Sequence, residues 1–166
     1  ELVCSLGQNV IITNFQEYFK LVEYFSEFTK ERMGLAMGIN NLIQIFDEKY
    51  YRHLSGGILE AFGKLFYRDL KVYMYPYKDS ESGEFITSEN LKVHPRMKEL
   101  YKFFKHNGKL IDIEDFNPEI LDIFSRKVLS MIANGEEGWE KMLPEGISET
   151  IIQNRLFGYS RSRIKK

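Results

Sequence analysis

The sequence predicts an α/β domain of Rossmann-like, three-layer design, in which a small, mostly parallel sheet of about four strands carries helices on both faces. Three observations lead there. Short β-branched or apolar runs alternate with amphipathic stretches whose apolar residues recur every three to four positions. Each run is separated from the next by enough chain for a right-handed crossover. The composition, 43% hydrophobic and 28% charged over 166 residues, is that of an ordinary water-soluble globular chain.

The first strand is expected at Val10-Ile11-Ile12-Thr13, a β-branched run. Asn14 with Glu17 three residues on reads as a capping box, and Phe15, Tyr18, Phe19, Val22 and Phe25 follow at helical spacing. Met33 to Met37, closed by Gly38, reads as the second strand. A helix from Asn40 to about Tyr51 and another over Ile58–Phe66 come next, with Ser55-Gly56-Gly57 as the break between them. Leu70 to Tyr75 is the third strand, ended by Pro76. Lys78 to Asn90 is polar and reads as an exposed loop or a small hairpin. Pro95 opens a helix that Asn107-Gly108 terminates, and Leu110 to Ile113 is the fourth strand. Asn117-Pro118 starts a helix running through Ile132, and Gly135 to Tyr159 reads as helical in short pieces with Trp139, Leu143, Ile147 and Ile151 turned inward.

Length suits one domain over residues 1–159, since domains most often run to about 100–150 residues. Residues 160–166, with Arg161, Arg163, Lys165 and Lys166, read as a basic, solvated tail. The net charge of −1 lacks the basic bias of a nucleic-acid binder. No apolar stretch approaches the roughly 20 residues that span a bilayer. Cys4 is the single cysteine, so no intramolecular disulfide forms, and a reducing, cytoplasmic setting is expected. The chain opens at Glu1 on the approach to a strand, which suggests an N-terminal domain upstream.

In open parallel sheets ligands settle beyond the carboxyl ends of the strands, where loops and helix N-termini converge. That rule nominates Asn14 after the first strand, Gly38, Asn40 and Asn41 after the second, and Tyr75 and Lys78 after the third. Helix capping explains the same Asn residues without a ligand. The densest cluster is Asp47 to Gly57. There Tyr50, Tyr51 and His53 form a candidate ligand rim, with Gly56 and Gly57 allowing close approach to the next helix, and Glu48 with Arg52 an i,i+4 ion pair. A solvated helix face accounts for this run equally. Asp112, Glu114 and Asp115 are candidates for a general base or a magnesium ligand, and equally for caps. No metal site is expected, because His53, His94 and His106 lack partners at ligand spacing and Cys4 stands alone. There is no G-x-G-x-x-G, P-loop or G-x-S-x-G.

The strings IFDEKYYRHLSGGILEAFGKLF (45–66), GEEGWEKMLPEGI (135–147) and RLFGY (155–159) resemble a bacterial family of larger proteins often named nicotinate- or nicotinamide-nucleotide adenylyltransferases. The resemblance covers nearly the whole chain and implies a place at the C-terminal end of such a protein. Neither the H-x-G-H type motif nor the basic-serine motif of nucleotidyltransferases occurs in the 166 residues, so the resemblance assigns no catalytic residue and implies that phosphate-handling groups lie upstream. Two expectations about function follow. One is a domain that binds a nucleotide or phosphorylated metabolite at the sheet's carboxyl edge, within a nucleotidyltransferase-like protein. The other is a non-catalytic module for homodimerisation or for docking on the N-terminal domain.

Overall fold

The structure, a computed structural model, describes residues 2–79 and 81–160; Ser80 and all of the expected basic tail except Ser160 lie outside them. In chain order the elements are helix α1 (Leu2–Ser5), α2 (Tyr18–Phe28), strand β1 (Gly34–Gly38), α3 (Ile39–Ile45), α4 (Gly57–Leu65), β2 (Lys71–Tyr75), β3 (Tyr77–Lys78), β4 (Phe85–Ile86), α5 (Lys98–His106), β5 (Leu110–Asp112), α6 (Ser125–Asn134) and α7 (Ile147–Asn154). Single 3-10 turns fill several of the intervals, the most consequential over Glu48–Tyr51. Among the described residues no helix is long and apolar enough to cross a membrane.

The chain divides into two compact units, Thr13–Leu121 and a second made of the N-terminal residues to Ile12 with Asp122 onward. The second has its own small helical core, in which Val128, Ile132, Trp139 and Ile151 are buried and Leu143 and Ile147 pack at the edge. Trp139 and Ile151 are therefore inward, as their spacing predicts.

The larger unit contains the sheet, a mixed α/β arrangement with three parallel strands in the order β1-β2-β5. Leu35 lies beside Val72 and Met37 beside Met74, and on the far side Val72 pairs with Leu110. The fourth expected strand, Val10–Thr13, does not form. Its backbone belongs to no sheet and its side chains face solvent, Ile12 at 94% exposure. β-branched residues favour strands because they fit a pleated surface packed on one side, and no strand runs beside this segment to supply it. The polar stretch after Lys78 is a hairpin, β3 pairing antiparallel with β4.

Burial alternates along the strands. Met37, Val72, Met74 and Leu110 are buried, whereas Gly34, Ala36 and Tyr73 are exposed. Within this unit the helices thus pack on one face of the sheet. Handedness explains it: strands laid down in one direction across a sheet, each by a right-handed crossover, place successive connections on the same side.

That covered face holds the core. Phe19 and Val22 of α2, Leu42 and Ile45 of α3, Phe62 and Leu65 of α4 and Phe104 of α5 are all buried on it. Phe62 is its centre, with ring centroids 4.9 Å from Phe46, 5.1 Å from Phe104 and 5.7 Å from Phe66, in edge-to-face geometry.

Two helix boundaries differ from expectation. Asn14 and Glu17 form no capping box: α2 begins at Tyr18, and the Glu17 carboxylate turns to Lys20 rather than back along the chain. The expected helix from Asn117 through Ile132 is instead a 3-10 turn at Pro118–Ile120, capped by the Asn117 side chain accepting from Glu119 N–H, followed by α6.

Candidate functional site

Orientation follows from topology. Thr29, just past α2, accepts from Arg68 Nη1 at 3.1 Å, and Met33 accepts from the N–H of Lys71 at 3.3 Å. The end of α2 therefore lies beside the start of β2, and its beginning lies toward the strands' carboxyl ends. α4 joins parallel strands and must start at that same end.

A cavity of about 330 Å³ opens there. Gln16, Glu17 and Tyr18 at the head of α2 form one wall, and Gln44 and Ile45 at the close of α3 form another. The third wall is Lys49, Tyr50, Tyr51 and His53. The volume is at the lower end of the range for small-molecule sites.

The last wall owes its shape to a broken helix. Asp47 accepts from the N–H of Lys49 at 3.1 Å, which ends the helical path of α3 and tightens residues 48–51 into one 3-10 turn. The expected helix from Asn40 to Tyr51 thus stops at Ile45. The expected Glu48–Arg52 pair is absent among the ion pairs of the described residues. With three residues per turn, positions four apart point in different directions. Asp47 instead binds Lys49 Nζ, and this contact with its backbone bond holds the carboxyl below its ordinary range. Lys49 Nζ also sits 4.8 Å from the Tyr50 ring centre.

Tyr51 is the anchor of the turn. It is 6% exposed, and its hydroxyl donates to the carbonyl of Ile45 at 2.9 Å. Burial, helped by the negative charge of Glu17, pushes its pKa up to about 12. Burial likewise raises Tyr101, which donates to the carbonyl of Ser88, to about 12. Folding therefore keeps both hydroxyls protonated where the unfolded chain, at the ordinary value of 10, releases them. Their contribution to stability is complete below pH 10, shrinks as pH rises from there, and is lost above about 12. Urea midpoints are expected to fall across that window, in step with tyrosinate absorbance. A flat midpoint would contradict the burial of both hydroxyls.

Glu17 lies on the cavity wall with its side chain only 15% exposed. It binds Lys20 at 2.9 Å, and His53 Nε2 stands 3.6 Å away, a charged pair when the imidazole is protonated. Tyr50 and His53 are exposed, at the rim.

Of the residues nominated from sequence, Tyr50, Tyr51 and His53 meet at this cavity. Gly56 and Gly57 border the head of α4, but the Gly56 N–H already donates to Glu60 Oε2 at 3.0 Å. A Cβ on Gly56 would lie 2.8 Å from that of Glu60, so the glycine makes room for the Glu60 side chain. Gly38 precedes α3 and Asn40 and Asn41 lie on its exposed side; Asn14 is exposed. None of the four lines the cavity. Tyr75 ends β2 with its ring 6.3 Å from Phe116, and Lys78 is an exposed hairpin residue; both are absent from this cavity too.

Four polar walls were not nominated: Gln16, Glu17, Gln44 and Lys49. In the sequence Glu17 reads as half of a capping box, and the glutamines read as solvated helix positions. Asp112 is engaged elsewhere, accepting from Ser88 N and Oγ, while Glu114 and Asp115 are exposed. Among the described residues no group of three His, Cys, Asp or Glu is arranged to hold a metal ion. The cavity offers stacking, amide, cationic and carboxylate groups together, a constellation suited to binding. No family model, curated protein or solved structure matches the chain.

Proposed function

We propose that the larger unit binds a nucleotide or phosphorylated metabolite in the cavity between the head of α2, the close of α3 and the turn at Glu48–Tyr51. The observation that carries this reading is the convergence of Tyr50, the amides of Gln16 and Gln44, the carboxylate of Glu17, the Lys49 ammonium and the His53 imidazole on one 330 Å³ space. Tyr50 offers a face for a base, the amides can pair with its edge, and Glu17 can accept from a sugar hydroxyl. Lys49 Nζ and the His53 ring N–H can donate to phosphate oxygens. The reading agrees with the adenylyltransferase resemblance, whose string over 45–66 contains Tyr50, Tyr51 and His53. A Rossmann-like kinship and a cytoplasmic setting, in keeping with the exposed, unbridged Cys4, belong to the same proposal.

A thermal-shift panel of nucleoside monophosphates and sugar phosphates tests it. A true ligand present at 100 times its dissociation constant adds about 2.7 kcal/mol of stability. Tyr50→Ala is expected to weaken binding about tenfold, the loss of roughly 1–3 kcal/mol of stacking. No stabilisation by any member at millimolar concentration would reject the proposal.

One observation favours association as a second reading. Phe15, Tyr24 and Phe28 form an exposed aromatic group with ring centres 5.0–5.5 Å apart, and Phe28 is 70% exposed. Self-association through it predicts a homodimer in sedimentation at high micromolar concentration that Phe28→Ser dissolves. A monomer under those conditions ends that reading.

A further inference from the structure

We propose a second, separate site: a groove on the other side of the Asp47–Arg52 turn that takes an organic monocarboxylate with an apolar body. The groove has a volume of about 320 Å³ and lies between that turn and the segment Val93–Met97. Its apolar surfaces are Phe46 and Met97, both buried beneath it, with Ile43 and Val93 beside them. Two arginines, Arg52 and Arg96, stand on its walls.

The charges select the ligand. Five ionisable walls besides His94 are Asp47, Glu48, Lys49, Arg52 and Arg96. Asp47 and Lys49 neutralise each other, and both Asp47 oxygens are taken, one by the Lys49 backbone N–H and one by its Nζ. Arg52 makes no ion pair with Asp47. Its other candidate partner, Glu48, makes no ion pair with it. Arg96 likewise joins no ion pair among the described residues. Two guanidinium groups against the single charge of Glu48 leave one net positive charge over an apolar floor. That balance fits a monoanion better than a doubly charged phosphate. Arginine stays charged at every accessible pH and meets a carboxylate with paired N–H donors. The apolar floor then accommodates an aryl or short alkyl body. The site does not depend on the nucleotide reading, since only Lys49 borders both cavities.

An amide NMR titration of the full chain with naphthoate, naphthamide and inorganic phosphate tests the proposal. Naphthoate is expected to shift the amides of Phe46, Arg52, Val93 and Met97 together. Arg52→Gln or Arg96→Gln alone weakens it about tenfold, as removing a charged hydrogen-bond partner does, and the double variant abolishes it. Both side chains are exposed, so the variants keep the native fold, which circular dichroism checks. Naphthamide binding as tightly as naphthoate, or the double variant binding like the parent, would overturn the carboxylate. Phosphate shifting the same amides equally well would overturn the apolar part and reduce the groove to a plain anion patch.

Discussion

Phe62→Ala is expected to lower the unfolding free energy of the larger unit by about 3–5 kcal/mol, the range for removing a large ring from a packed interior. The side chain is 2% exposed, and four aromatic rings surround it, Tyr51 the most distant with its centre at 6.3 Å. Truncation removes its burial and the edge-to-face contacts with Phe46, Phe66 and Phe104 together. It also leaves a void whose walls are rings on four different segments, which cannot all close on it. Phe62→Leu retains most of the volume and is expected to cost far less. Urea unfolding followed by circular dichroism measures both. A loss below 1 kcal/mol for the alanine variant, an ordinary surface-like value, would mean that the ring cluster is not the core.

Asp112→Ala should be the second most damaging change, at about 2–4 kcal/mol, because it strands donors rather than removing volume. Asp112 accepts from the Ser88 N–H at 2.9 Å and the Ser88 hydroxyl at 2.6 Å. Ser88 is 3% exposed, and its carbonyl accepts from the Tyr101 hydroxyl at 2.8 Å and from Lys105 Nζ at 3.3 Å. One serine thus ties β5, α5 and the segment after the hairpin. Without the carboxylate its two donors are buried with no acceptor. Asp112→Asn keeps one acceptor oxygen and should lose about half as much. Hydrogen exchange at the Ser88 amide gives a local readout, accelerating in the alanine variant if the bond is what protects it. Unchanged protection would assign the burial, and not Asp112, as the cause.

Much of the fold was legible along the chain. The strands at Gly34–Gly38, Lys71–Tyr75 and Leu110–Asp112 and the helices α2, α4 and α5 lie within a few residues of their expected places. Their apolar residues recur at a period the backbone imposes, and packing against one face rewards that period wherever it occurs. Val10–Thr13 shows the boundary of this reasoning. Its composition is that of a strand, but a strand is a relation between two segments, and the partner is not encoded locally.

The candidate site was half legible. Tyr50, Tyr51 and His53 stood out because they crowd one short stretch. Gln16, Glu17 and Gln44 reach them from other elements, and nothing in their own surroundings marks them. The strand-end rule nominated residues that follow the strands directly, and most of these do not line the cavity. The cavity lies among the helices, so Gly38, Asn40 and Tyr75, which follow the strands directly, stay outside it.

The sequence by itself determined the α/β class, the parallel strands' locations and the unusual chemistry of residues 47–57, since each depends on local period or local composition. The tertiary structure alone decided that the sheet has three strands, that one face of it is covered within the unit, and that Asp47 tightens the turn which separates the two cavities. It also decided that Glu17 lines a cavity wall and makes no side-chain cap. Those outcomes depend on which segments become neighbours, and that is settled by the collective burial of Phe62 and the residues around it rather than by any one stretch of chain.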